Sequence, residues 1–210
     1  MRIGFIGAGN IGSTLARLSV GAGHHVVLSN SRGPDTLADL VARLGPAASA
    51  ATPAEAAAGS DLVVVTIPLG AYRDVPAAEL AGAVVADTTN HYPDRDGRIA
   101  GLDDGTTTSS ELLARHLPGA RLVKAFNTIW SEHLATHGQP AGSPGRRALP
   151  VAGDDAAAKA VVAGLIDEVG FDVVDAGPLT EGRRFEPGTP AYDVRLDAGQ
   201  LRRALADADR

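Results

Sequence analysis

The chain alternates short apolar runs with stretches of helical spacing, and the two periods divide it into elements. Residues 3–6 are a compact apolar run, and Ile11, Leu15 and Leu18 follow at once with helical spacing. A second strand is predicted over 25–28, after the Gly21-Ala22-Gly23 turn. Pro34 and Asp35 then open a helix whose Leu37, Leu40, Val41 and Leu44 face a sheet and whose stop is Gly45. Residues 47–51 read as a short third strand. Thr52 is placed to cap a brief Ala-rich helix. Residues 61–67 form a continuous apolar run, as expected of a parallel strand buried on both faces. Residues 83–87 and 122–126 read as the fifth and sixth strands. Between them, 91–108 is polar and broken by Pro93, Gly97, Gly101 and Gly105, so it reads as an extended loop before a helix starting at Ser110-Glu111.

Beyond the sixth strand, 138–147 is rich in Gly, Pro and basic residues and reads as a mobile loop. A strand over 149–152, a helix over 154–169 and a strand over 171–175 make one more β-α-β unit. Val161, Val162, Leu165, Ile166 and Val169 form the buried stripe of its helix, and Gly170 ends it. The chain turns away at 176–179, shows little periodicity over 181–191, and closes with a helix over 198–207. Strand and helix signals that alternate in this way imply right-handed crossovers. The expected architecture is α/β: a Rossmann-type doubly wound parallel sheet over 1–137, with a small C-terminal β-α-β extension over 138–210 that completes an acceptor site.

The first strand-to-helix junction carries the most chemistry. Gly7-Ala8-Gly9-Asn10-Ile11-Gly12 follows a strand and opens a helix, the context in which a Gly-x-Gly-x-x-Gly run signals dinucleotide binding. Gly7 permits the tight turn, Gly9 lets a pyrophosphate reach the backbone, and Gly12 lets helix and sheet approach closely. The helix N-terminus offers N–H groups and partial positive charge to the phosphates. An acid that would bind the ribose hydroxyls belongs at the end of the second strand, at Ser29 or Asn30, and neither is acidic. The Ser29-Asn30-Ser31-Arg32-Gly33 segment instead suits a 2′-phosphate, through a guanidinium fork with small polar neighbours. The cofactor expected is therefore NADP(H) over NAD(H). Thr66, Ile67 and Pro68, at the carboxyl end of the fourth strand, should border it.

Composition narrows the partners. Aromatic residues make up 4% of the chain and aliphatic ones build the core. A net charge of −6 argues against nucleic acid, and no apolar stretch approaches membrane-spanning length. With no cysteine there is no thiolate nucleophile or thiolate metal site. The expected setting is cytoplasmic, since the N-terminus reads as a strand of the fold rather than a targeting segment. The chain after the sixth strand is too short for a large helical substrate domain. The reacting small molecule, a hydride donor or acceptor, should therefore lie in a shallow site or be enclosed by a second subunit.

No Ser-x-x-x-Lys, Tyr-x-x-x-Lys or triad pattern is visible, and no catalytic residue is assigned. Lys124, His91, His133 and His137 are the available acids and bases. Lys124 would point to the cleft or reach solvent. His133 and His137, four residues apart, lack the internal Glu of a His-Glu-x-x-His site, so no metal is assigned. His24-His25 reads as a solvated turn. Hydride transfer between stacked planar rings needs alignment more than a proton donor.

Six segments together are similar to one family: 7–12, Ser-Asn-Ser-Arg-Gly-Pro at 29–34, Thr-Ile-Pro at 66–68, Lys-Ala-Phe-Asn-Thr-Ile at 124–129, Ala-Gly-Asp-Asp at 152–155 and Asp-Ala-Gly-Pro-Leu at 175–179. They resemble the NADPH-dependent coenzyme F420 reductases, also called F420-dependent NADP oxidoreductases, whose relatives include the reductase domains of ferric reductases. The resemblance implies a homodimer that moves a hydride between NADP(H) and the deazaflavin ring of F420. It implies that Gly9, Asn10, Ile11, Ser31 and Arg32 hold NADP(H), and that Thr66, Ile67 and Pro68 line its path. Asn127, Thr128, Ile129, Ala176, Gly177 and Leu179 would surround the stacked rings. Two other readings stand beside it. One is an NADPH-dependent reductase of another acceptor (a flavin, quinone, ferric chelate, small carbonyl or imine) on which Trp130, Tyr92 and Phe126 could stack. The other is a non-catalytic NADPH sensor.

Overall fold

A computed structural model describes residues 1–208. One eight-stranded sheet runs through the molecule in the order β3-β2-β1-β4-β5-β6-β7-β8. The strands are β1 (Arg2–Ile6), β2 (His25–Ser29), β3 (Ala48–Ala50), β4 (Leu62–Val65), β5 (Val84–Asp87), β6 (Arg121–Lys124), β7 (Ala148–Gly153) and β8 (Asp172–Gly177). The helices are α1 (Asn10–Gly21), α2 (Ala38–Leu44), α3 (Pro53–Ala57), α4 (Pro93–Asp96), α5 (Ala100–Asp103), α6 (Ser109–His116), α7 (Ser131–Thr136), α8 (Ala156–Glu168) and α9 (Ala198–Asp207). Tight 3-10 turns at Pro34–Leu37, Leu69–Asp74 and Leu179–Phe185 link them.

Successive side chains on a strand point to opposite faces, and the central strands use both. Ile3, Phe5, Leu62, Val64, Val84 and Ala86 pack with α1, α7 and α8 on one face. Ile6, Val63, Val65 and Val85 pack with Leu69, Tyr72, Leu113 and Leu117 on the other. A third cluster, around Val174, Phe185, Leu201 and Leu205, seats α9 against the outer strands. Thr52 and Thr108 each close a capping box, with Glu55 and Glu111, and so fix the starts of α3 and α6.

The structure departs from the expected all-parallel sheet at β7, which pairs antiparallel to β6 (Lys124 opposite Ala152) and parallel to β8. The connection from β6 runs through α7, which packs on α1, and enters β7 without crossing the sheet, so the strand direction reverses. β6 also stops two residues early, because Phe126 adopts φ 59° and cannot extend the strand. The polar stretch 91–108 contains the two short helices α4 and α5. Residues 138–147 are anchored at their end. Arg146 and Arg147 are both buried, and Arg146 pairs with Asp167 at 2.6 Å and Asp172 at 2.9 Å. His24 is buried rather than solvated: its Nε2 meets Glu168 Oε2 at 2.7 Å and its Nδ1 meets the N-terminal amine at 3.2 Å.

Candidate functional site

The β1–α1 junction is built around absent side chains. Gly7 has φ 106°, and a Cβ there would fall 2.2 Å from the Thr66 carbonyl oxygen. A Cβ on Gly12 would fall 2.3 Å from the Gly7 carbonyl oxygen. Gly9 differs: a Cβ there would meet nothing within 4 Å. Gly7 and Gly12 therefore serve the packing of strand, turn and helix, whereas the bare face of Gly9 looks into open space. Gly9 is also the N-cap of α1 and contributes no side-chain cap, so no side chain covers the first N–H groups of that helix. This is the arrangement that a diphosphate requires.

Beside this junction a cleft of about 400 Å³ opens at the carboxyl ends of β1, β4, β5 and β6, where open α/β sheets bind ligands. Gly9, Asn10, Ile11, Thr66, Ile67 and Pro68 form one side. Phe126, Asn127, Ile129, Trp130, Tyr92 and Tyr192 belong to the other. Three buried polar atoms in its lining residues have no protein partner among the described residues: Thr89 Oγ1, Asn127 Oδ1 and Asp193 Oδ1. Asn127 and Asn90 are otherwise locked together: Asn127 Nδ2 donates to Asn90 Oδ1 at 3.0 Å, and Asn90 Nδ2 donates to the Asn127 carbonyl oxygen at 2.9 Å. Phe126 and Asp193 are the non-glycine residues with positive φ among those described, and both line this cleft.

The expected site residues divide by location. The ones at 9–11, 66–68, 127 and 129 come together in the cleft. Thr128 is buried next to it, and its carbonyl oxygen accepts from Arg147 at 3.4 Å. Ser29 is fully buried, and its hydroxyl donates to the Phe5 carbonyl oxygen at 2.7 Å, so it is committed inside the sheet. Asn30 shapes the next turn: its Oδ1 accepts from the Arg32 N–H at 2.9 Å and its Nδ2 donates to Thr36 Oγ1 at 2.8 Å. Ser31 and Arg32 are exposed on that turn, beyond the carboxyl end of β2. Ala176, Gly177 and Leu179 are not brought to the cleft. Because β7 reverses the sheet, Gly177 lies level with Ala152 near the outer edge, and Leu179 is buried in the core with Leu113 and Leu122.

Lys124 neither enters the cleft nor reaches solvent. It is fully buried, with Nζ at 2.6 Å from Ser109 Oγ and at 3.2 Å from Ser110 Oγ, the Thr89 carbonyl oxygen and Glu186 Oε1. Burial pushes the Glu186 carboxyl up, but the Lys124 ammonium and the Ser109 hydrogen bonds outweigh it and hold the group below its ordinary value. His91 bonds the Gly97 carbonyl oxygen. His133 and His137 stack at 4.5 Å between ring centroids, and His137 faces Arg147 at 3.1 Å. Burial, followed by the charge of His133 and Arg147, lowers the His137 pKa. Among the described residues no three His, Cys, Asp or Glu converge.

Several lining residues escaped the sequence reading as site residues. Thr88, Thr89 and Asn90 lie just past the carboxyl end of β5, so the rule that pointed to 66–68 could have found them. Arg95, Tyr192 and Asp193 reach the cleft through tertiary folding and carry no local signal.

Residues 2–91 match the family model described as NADP oxidoreductase coenzyme F420-dependent. A candidate F420-dependent NADP-reductase from Arthrobacter sp. FB24 is 31% identical, with a TM-score of 0.75 over 87% of each chain. The chain belongs to the F420-dependent NADP oxidoreductase family. Another solved structure similar to this family member, the protein SMa0349 from Sinorhizobium meliloti, is 32% identical with a TM-score of 0.79, covering 93% of this chain and 94% of that one. Metalloreductase STEAP3 from Rattus norvegicus is 29% identical over 187 residues. That match takes in 88% of this chain, which spans only 36% of the metalloreductase's length. Among the described residues, no helix of this F420-dependent NADP oxidoreductase family member is long and apolar enough to cross a membrane.

Proposed function

We propose that the protein transfers a hydride between NADP(H) and the deazaflavin ring of coenzyme F420. One observation carries this reading: a single cleft joins the uncapped, side-chain-free turn at Gly9 to a wall containing Phe126, Trp130 and Tyr92. Diphosphate chemistry suits the first part and a planar ring suits the second. Gly9, Asn10 and Ile11 would hold the diphosphate, and Arg32, exposed and without an ion pair among the described residues, would take the 2′-phosphate. Thr89 Oγ1 and Asn127 Oδ1 are suited to the carboxamide, which offers both a donor and an acceptor. Reduced nicotinamide, when bound, supplies the hydride. The chain supplies alignment, through the locked Asn90–Asn127 pair and the positive-φ backbone at Phe126.

A second reading, reduction of a flavin or ferric chelate, is supported by the similarity to a metalloreductase across most of the chain. Mixing the protein with NADPH and F420 and following the deazaflavin absorbance tests the first. No change at saturating cofactor rejects F420, and turnover with flavin or ferric chelate alone selects the second. Tight NADPH binding without consumption by any acceptor would leave a binding module.

A further inference from the structure

The outer wall of the cleft holds two tyrosines that hydride alignment does not require. Tyr92 follows β5 and Tyr192 precedes α9, and their hydroxyls are hydrogen-bonded to each other. Asn90 Nδ2 also approaches the Tyr192 oxygen, at 3.5 Å, and both rings line the cleft. Their placement is over-determined. Tyr92 is pinned by its N–H to Asp96 Oδ2 at 2.9 Å and by Arg95, whose guanidinium carbon lies 4.9 Å from the ring centroid. Tyr192 is followed by Asp193, whose carboxylate accepts from Trp130 Nε1.

Counting protons gives the consequence. The pair has two hydroxyl protons, and one occupies the bond between the oxygens. The other has no acceptor among the described residues, since the facing group of Asn90 is itself a donor. Burial and the Tyr92 hydrogen bond raise the Tyr192 pKa, which keeps the Tyr192 hydroxyl protonated at neutral pH. Tyr92 is partly exposed and can exchange with water.

We infer that the Tyr92–Tyr192 pair is the proton donor of the cleft. Its acceptor class is then a molecule whose hydride-accepting carbon is conjugated to an oxygen or nitrogen, such as a carbonyl, an imine or a deazaflavin ring. In the forward direction the acceptor carbon gains a hydride from reduced nicotinamide, which is oxidised by two electrons. The C=O or C=N π-pair moves onto the heteroatom, where a new bond to the tyrosine proton forms. The second hydroxyl reprotonates the first, and water reprotonates the second. This inference rests on the NADP(H) reading of the same cleft.

The test compares Tyr92→Phe, Tyr192→Phe and the double variant. NADPH binding is measured by fluorescence titration and folding by thermal melting. Turnover is measured with F420 and with a panel of aldehydes, ketones and cyclic imines. The expected result is a fall in kcat of about 100-fold or more for each single variant, as for loss of a general acid. The double variant should be little worse than either single one, because the hydroxyls act as a unit. NADPH affinity should stay within about twofold, since the pair adds little ground-state binding to the cofactor. Independent, multiplicative losses, or kcat unchanged in folded variants, would overturn the pair as donor. So would a folded protein that binds NADPH and reduces only ferric chelates. A protein that binds no NADPH at all would instead overturn the reading beneath it.

Discussion

At the scale of single residues, the three glycines of the first turn make separable demands. In Gly9→Ala the new methyl meets no protein atom within 4 Å, so the melting temperature should hardly change. A diphosphate could no longer rest on the main chain, and NADPH affinity should fall at least about tenfold, or about 1.4 kcal/mol. In Gly12→Ala the methyl meets the Gly7 carbonyl at 2.3 Å. That substitution should destabilise the fold by about 1–3 kcal/mol through overpacking, as read by denaturant unfolding. If both variants lose stability and affinity together, the two glycines do not have distinct roles. Arg32 carries a different prediction. Asn30 fixes the turn that presents it, and residues 30–34 carry no carboxylate to repel a phosphate. Arg32→Ala should therefore weaken NADPH more than NADH, by on the order of 1.5–3 kcal/mol for a charge-assisted bond. Equal loss of both nucleotides in paired titrations would remove the 2′-phosphate role.

At the scale of elements, the Lys124–Glu186 pair joins β6 to the segment that follows the last 3-10 turn, with Ser109 of α6 between them. Lys124→Met leaves the Glu186 carboxylate without its cation and should cost about 3–5 kcal/mol. The pH dependence has a definite sign. The folded Glu186 carboxyl lies below its ordinary value of about 4.3. Its contribution is therefore complete above that pH and disappears as pH falls through the lower folded value. The difference in melting temperature between the protein and Glu186→Gln should be widest near neutrality and should close as acid is added below about pH 5. A difference that stays constant down to pH 3 would mean that the carboxylate does not stabilise the fold through its charge. This pair also shows where sequence reading stops. The periods of apolar residues disclosed β1, β2, β4, β5 and α9, because each buries a regular face or stripe of its own. They could not disclose that β7 runs backwards, since alternation of side chains is the same in either direction. Nor could they place Lys124, whose partners at 109, 110 and 186 are brought together only by the finished sheet. The candidate cleft divides in the same way. The segments 9–11 and 66–68, each directly after a strand, were legible as neighbours of the cleft, whereas Tyr192 and Asp193 arrive from a distant segment without periodicity.

At the scale of the whole molecule, the question is whether residues beyond 137 behave as an appendage or as part of one cooperative body. A single buried cluster joins Phe5, Leu15 and Leu28 to Leu149, Val162, Leu165 and Phe171. The sheet passes from β6 to β7 without a gap, and the His24–Glu168 bond ties the turn between α1 and β2 to the end of α8. Cutting at 137 would expose Val123 and Leu134, which are fully buried, and remove the partner strand of β6. Scanning calorimetry should therefore show one transition, with calorimetric and van't Hoff enthalpies equal, the signature of all-or-none unfolding. Residues 1–137 alone should give no cooperative melt. NADPH at about 100 times its dissociation constant should add about 2.7 kcal/mol by mass action and move the entire transition upward. If only part of the heat absorption moves, or if the N-terminal segment melts cooperatively when isolated, the C-terminal strands are a separable unit. Tyr192 and Asp193 would then be free to leave the cleft without unfolding the nucleotide-binding half.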